Sequence, residues 1–142
     1  MIRNFKEHDL PVVMQIWLDT NIEAHNFIPS KYWTDNYEMV KSILPHAEIY
    51  VHENDLTKQI DGFIGLNNDY IEGIFVKSSA QSNGIGKQLL DFTKNIKTNL
   101  SLNVYQKNVR AIAFYNRENF VIKSESIDLS TNEKDFFMTW CR

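Results

Sequence analysis

A chain of 142 residues has room for one domain with one sizeable core, residues 1–142, and too little for a second. Hydrophobic residues at 43%, aromatics at 13% and charged residues at 23% are the mix of a soluble globular domain and exclude a disordered, collagen-like or coiled-coil chain. One cysteine, Cys141, excludes an internal disulfide, no Cys and His spacing resembles a metal site, and no apolar run approaches the roughly 20 residues a membrane span needs; the net charge of −3 argues against non-specific nucleic-acid binding. Met1 to Leu10 carries polar and charged residues where a signal peptide needs an apolar stretch, so the expectation is a cytoplasmic enzyme or binding domain without nucleic acid or membrane as partner.

After a short first strand, Asp9 is a candidate N-cap, with Pro11 in the first turn of a helix. Leu10, Val13, Met14, Trp17 and Ala24 recur there at helical spacing. Ser30 is a candidate cap for a second helix carrying Trp33, Tyr37, Val40 and Ile43, which Pro45 shuts off. An apolar loop, Ala24 to Pro29, joins the two. From Glu48 the pattern changes to short β-rich runs, Glu48 to His52, Ile60 to Leu66 and Tyr70 to Val76, read as an antiparallel meander with Asn67-Asn68-Asp69 as a hairpin turn. Beyond Gly84, Ile85, Leu89, Phe92 and Ile96 follow the spacing of an amphipathic helix. A strand at Leu100 to Tyr105, a helix at Val109 to Glu118 and strands at Phe120 to Ile127 and Asp135 to Trp140 complete the chain. The predicted order is β-α-α-β-β-β-α-β-α-β-β, an α/β (α+β) chain with a mixed central sheet of about seven strands and about four helices.

All five glycines lie between Gly62 and Gly86, and the informative stretch runs from Ile74 to Leu90. There a strand enters a small-residue loop, then a helix whose start carries Gly84 and Gly86. Unpaired N–H groups and the positive end of the helix dipole make such a start an anion site. A nucleotide P-loop needs Gly at Gln81 and Ser or Thr at Gln88, and the dinucleotide fingerprint needs Gly at Leu89, so both fail.

What is left, Gln81-x-x-Gly84-x-Gly86 after a strand, resembles motif A of the GNAT superfamily of acetyl-CoA-dependent N-acetyltransferases. Downstream, Asn108 to Phe120 resembles that family's Asn-x-x-Ala-x-x-Phe-Tyr helix, with Asn119 in place of the usual closing glycine; asparagine also tolerates the left-handed conformation. Together with the two-helix segment and the meander, the likeness covers nearly the whole chain and is strongest to small single-domain bacterial proteins described as peptidyl-lysine N-acetyltransferases. The resemblance implies acetyl-CoA as co-substrate, without metal, and a primary amine of a small molecule, peptide lysine or N-terminus as acceptor. It implies pyrophosphate bound at Gln81, Ser82, Asn83, Gly84, Ile85, Gly86 and Lys87, with the pantetheine arm along Ile74, Phe75 and Val76. Asn108 would bond the coenzyme, cap its own helix, or both. It also leaves open a homodimer, since some relatives pair through sheet edges or terminal strands.

Acetyl transfer needs a proton for the departing thiolate, and Tyr115 matches the family's general acid. A tyrosine, with a pKa of about 10, can lend a proton to a thiolate and recover it. The acceptor must also lose one: a lysine is less than roughly one part in a thousand neutral at pH 7, a penalty of about 4–5 kcal/mol. Glu72 stands where many relatives keep a carboxylate that works through water. Strict alternation puts it on the mainly apolar face of Ile74 and Val76, a setting that favours a protonated carboxyl. His25, on the apolar loop, is the second candidate base and a candidate substrate contact; a water chain is the third route. Trp33 and Tyr37 either line the acceptor pocket or belong to the core. Cys141 has no histidine or helix start beside it, so direct transfer in a ternary complex is expected. A non-catalytic acyl-CoA sensor on the same fold, or a transferase using another acyl-CoA, are the alternatives. Charge is segregated: between Lys77 and Lys123 eight basic residues face two acids, Asp91 and Glu118, for +6, leaving −9 elsewhere. This division would steer an anionic coenzyme and a cationic amine to different regions.

Overall fold

A computed structural model describes residues 1–142. In chain order the elements are β1 (Ile2–Asn4), α1 (Leu10–Ala24), α2 (Ser30–Ile43), β2 (Glu48–Glu53), β3 (Ile60–Asn67), β4 (Tyr70–Val76), α3 (Ile85–Ile96), β5 (Asn99–Tyr105), α4 (Val109–Arg117), β6 (Val121–Asp128) and β7 (Glu133–Cys141). This is the order the periodicities predict. The strands form one seven-stranded sheet, β1-β2-β3-β4-β5-β7-β6, in which only the β4–β5 pair is parallel. No helix is long and apolar enough to cross a membrane.

Each face of the sheet carries its own core. Leu89 and Leu90 of α3 and Tyr115 of α4 pack with Ile64, Ile71, Leu100, Leu102 and Met138 on one face. Val13, Met14 and Trp17 of α1 and Trp33 of α2 pack with Ile49, Val51 and Phe63 on the other. The Asn68–Asp69 turn closes the β3–β4 hairpin with Asn68 at φ 56°, the left-handed conformation its type tolerates.

Three local expectations are corrected. Asp9 does stand at the N-cap position of α1, but its side chain makes no capping bond: its carboxylate accepts the N–H of Lys6 at 2.8 Å and two hydrogen bonds from Arg3, at 2.8 and 3.1 Å. Ser30 is the first residue of α2 rather than its cap, that position falling to Pro29. Alternation along β4 also breaks. Gly73 pairs with Gly65 but Ile71 pairs with Leu66, so the strand holds one extra residue at Glu72. This β-bulge puts Ile71 and Ile74 into the same core and leaves Glu72 exposed. Glu72 therefore does not share the apolar face of Ile74 and Val76.

Candidate active site

The parallel pair is joined at one register position, Tyr70 opposite Ser101, and by the Ser101 N–H donating to the Asp69 carbonyl at 3.0 Å. Beyond it β4 and β5 diverge. The side chains of Ile74 and Val76 are anchored in the α3/α4 core, and Phe75 stacks on Phe63 at 4.6 Å in the other. The β4 backbone thus presents an edge toward the gap that extended amides can pair with.

At the end of β4 the chain turns through Ser78–Ala80 into the glycine loop. Gln81 is spent on holding that loop closed: its amide donates to the Val76 carbonyl at 3.0 Å, its Oε1 accepts from Arg110 at 2.8 Å, and its N–H points at the Ser78 carbonyl. The next six N–H groups, from Ser82 to Lys87, have no hydrogen-bond partner in the chain; the first bond of α3 is the N–H of Gln88 to the carbonyl of Gly84 at 2.9 Å. Ser82 (φ 67°) and Gly84 (φ 78°) are both left-handed, which turns successive N–H groups into one concavity. The concavity is made of backbone rather than side chain, a cradle of the kind an anion fits, and its open N–H groups run from Ser82 to Lys87, the N–H of Gln81 lying 3.4 Å from the Ser78 carbonyl. The Lys87 ammonium is directed away from it, to Glu118 at 3.0 Å and Asp91 at 3.3 Å, which raise its pKa. The cationic side chain tied to the loop is that of Arg110, which sequence reasoning missed.

The second motif closes against the first. A Cβ on Gly86 would lie 3.7 Å from the ring of Phe114, so α3 and α4 meet at the cradle. Asn108 caps α4, its Oδ1 accepting the Ala111 N–H at 3.3 Å, and Asn119 ends the turn after the helix at φ 71° as its type predicts. Tyr115 is 8% exposed and packed between Phe114 and Phe120, yet its hydroxyl makes no hydrogen bond within the chain. Nor is the hydroxyl sealed in: the one fully enclosed side-chain polar atom without a partner is Trp33 Nε1. Burial, and secondarily Tyr70, push the Tyr115 pKa well above its ordinary value, so the phenol holds its proton.

The α1/α2 side of the gap is lined by side chains from five elements. On β5, Leu100, Leu102 and Val104 face the α3/α4 core, leaving Ser101, Asn103 and Tyr105 on the opposite side. Tyr70 donates to Asn103 Oδ1 at 2.8 Å, and its pKa is raised by burial and by Glu72. Tyr105 donates to Asp128 at 2.6 Å, and Ser126 donates to Asp135. Burial would raise the Asp128 carboxyl, but hydrogen bonds from Ser130 and Tyr105 outweigh it and hold the pKa below its ordinary value. The alternation of Ser101, Asn103 and Tyr105 was the one sequence signal for this wall; Tyr70, Asp128 and Asp135 had none.

His25 sits inside an aromatic enclosure, stacked on Trp33 at 5.2 Å with Phe27 and Tyr105 edge-on. Its Nδ1 donates to the Asn21 carbonyl at 3.0 Å, so Nε2 carries the lone pair, which faces the Asn108 amide at 3.4 Å. Burial lowers the His25 pKa and keeps the ring neutral at pH 7. Trp33 itself is buried, its ring against His25, Trp17 and Tyr32, which of the two alternatives open from the sequence favours the core.

A parallel pair that splays beside a loop of open backbone N–H groups suits a transferase that binds an acyl-coenzyme A. Comparison with known proteins bears this out. The family model for the acetyltransferase (GNAT) domain matches residues 45–122. The chain is 32% identical to the peptidyl-lysine N-acetyltransferase YiaC of Escherichia coli, over 99% of this chain and 96% of that one. The solution structure of apo-form YjaB from Escherichia coli superposes with a TM-score of 0.87 at 24% identity, covering 98% of this chain and 95% of that one. The structure of yncA from Salmonella typhimurium with its cofactor acetyl-CoA has a TM-score of 0.67 at 14% identity, over 99% and 92% of the two chains. The chain belongs to the GNAT acetyltransferase family. It is an N-acetyltransferase with acetyl-CoA as its co-substrate.

Proposed function

We propose that the acceptor is the side-chain amine of a lysine in a peptide or protein, and that transfer is direct. The observation that carries this reading is the placement of acidic and aromatic side chains, Asp128, Asp135, Glu72 and Tyr105, on the α1/α2 side of the gap, opposite the face that holds the cradle. Carboxylates there attract an ammonium group. The 32% identity to a peptidyl-lysine N-acetyltransferase over nearly the full length supports the peptide class.

Acetyl-CoA supplies an acyl thioester. The Ser82–Lys87 N–H groups hold its pyrophosphate and the β4 edge from Ile74 to Val76 orients the arm. An N–H of Ile74 or Phe75 stabilises the developing oxyanion. Tyr115 donates a proton to the leaving sulfur, which departs as the free thiol, and the phenolate takes a proton back from water. Burial raises the Tyr115 pKa, so the phenol carries its proton at neutral pH and stands as the donor. Glu72, exposed at the mouth of the gap, takes the acceptor's proton through water. His25 is the weaker base: its lowered pKa and its engaged Nε2 leave it to position the loop and Asn108. Cys141 pairs opposite Asn99, at the far end of β5 from Tyr105, which supports transfer without an acyl-cysteine.

The test is release of free thiol from acetyl-CoA with lysine-containing peptides, N-terminal amines and small polyamines, with product mapped by mass spectrometry. Acetyl-lysine formed at a kcat/KM at least about tenfold above the small amines supports the reading; the reverse preference sinks it.

A further inference from the structure

On the other flank of the cradle lies a buried polar cluster that the transfer chemistry does not use. His52 of β2 and Asp61 of β3 are both buried, and His52 Nδ1 donates to Asp61 Oδ1 at 2.6 Å. This is the only side-chain bond Asp61 makes, while its main-chain carbonyl accepts the N–H of Lys77 at 2.9 Å where the chain leaves β4. Over the face of the sheet that α3 covers, His52 Nε2 lies 3.1 Å from Oε1 of Gln88. Gln88 is the residue whose N–H makes the first bond of α3. A cavity of about 390 Å³ opens beside the three, lined also by Lys77, Ser79 and Asn83.

Packing alone does not call for this arrangement, since apolar residues of similar volume replace a buried polar pair at little or no cost. What it does provide is orientation on the first turn of a helix: the carboxylate fixes the ring with Nδ1 as donor, so Nε2 accepts, and the Gln88 amide bonds it through its NH2 group, which a half-turn of the amide places at that position. The neighbouring strand is tight against both ends of the loop, where a Cβ on Gly62 would come 2.9 Å from the Phe75 carbonyl oxygen and 3.2 Å from Ile85 Cγ2.

We propose that Asp61, His52 and Gln88 form a positioning relay that sets the first turn of α3, and with it the direction of the Ser82–Lys87 N–H groups, for the coenzyme's pyrophosphate. This rests on the assignment of that loop to the pyrophosphate. None of the three touches the reacting atoms.

Gln88 is exposed, so Gln88→Ala removes the last link without opening the core. KM and kcat are measured with acetyl-CoA and with acetyl-pantetheine, which carries no phosphate. The relay predicts that Gln88→Ala raises KM for acetyl-CoA about fivefold, leaves kcat within twofold and leaves KM for acetyl-pantetheine unchanged. Asp61→Asn, which keeps an acceptor for Nδ1, retains most of the affinity, and His52→Phe shows the same split as Gln88→Ala, more strongly. An unchanged KM for acetyl-CoA in Gln88→Ala, or equal rises for both donors, overturns the relay. Equal KM values for the two donors in the wild-type protein would instead overturn the loop assignment itself.

Discussion

The two faces of the sheet meet at the same gap but are built differently. On the α3/α4 side, recognition is made of backbone: six unpartnered N–H groups, two left-handed residues and a free strand edge, all within Ile74 to Lys87. On the α1/α2 side the proposed acceptor wall is made of side chains from β4, β5, β6, β7 and the α1–α2 loop. A backbone site is set by local conformation and tolerates side-chain change. A side-chain site depends on every element that carries a member. The coenzyme half should therefore be sensitive to glycine and to loop geometry, and the acceptor half to single charges.

The largest effect expected is at the point shared by both halves. Tyr115→Phe should lower kcat about 100-fold or more with little change in KM for acetyl-CoA, because only the proton is removed; steady-state thiol release reads this, and a loss confined to KM would mean that Tyr115 only packs. Next, Gly84→Ala should raise KM for acetyl-CoA about five- to tenfold. No atom lies within 4 Å of the added Cβ, so the cause is its φ of 78°, worth about 1–2 kcal/mol for a non-glycine residue. Binding calorimetry checks it, and an unaltered affinity would break the description of that half as a backbone site.

Glu72→Gln, at an exposed position, should lower kcat/KM for the acceptor about tenfold while coenzyme affinity stays the same. Equal losses for both substrates would merge the two halves. The charge division of the sequence is blunter in three dimensions, because Lys87, Lys97 and Lys107 are paired with Glu118, Glu48 and Glu133. The association rate of acetyl-CoA, by stopped flow, should therefore fall only about two- to threefold between low and physiological salt, and a salt-independent rate would remove steering altogether.

The smallest effect concerns stability. His25 has a folded-state pKa below its ordinary 6.5, because burial opposes charging it. The unfolded chain then binds the proton first as pH falls, so this contribution to stability is present above about pH 6.5 and is lost below it. The drop in melting temperature from pH 7.5 to 5.5 should be smaller in His25→Phe, and an unchanged drop would show that His25 is not the group involved.

Sequence alone determined the element order, the glycine loop and the closing turn at Asn119, because each depends on residues within a few positions of one another. Hydrophobic period, a residue able to take positive φ and a missing Cβ are all local properties. The tertiary structure decided the rest. It moved Glu72 off the apolar face, since a bulge adds a residue that alternation cannot anticipate. It turned Lys87 toward Glu118, 31 positions away, and tied Arg110 to Gln81 across 29. It stacked His25 on Trp33 and set Tyr70 and Tyr105 beside the carboxylates of the proposed acceptor wall. These are contacts between distant elements, selected by how the sheet splays and how each helix docks. No pattern within one element encodes which partner a side chain meets.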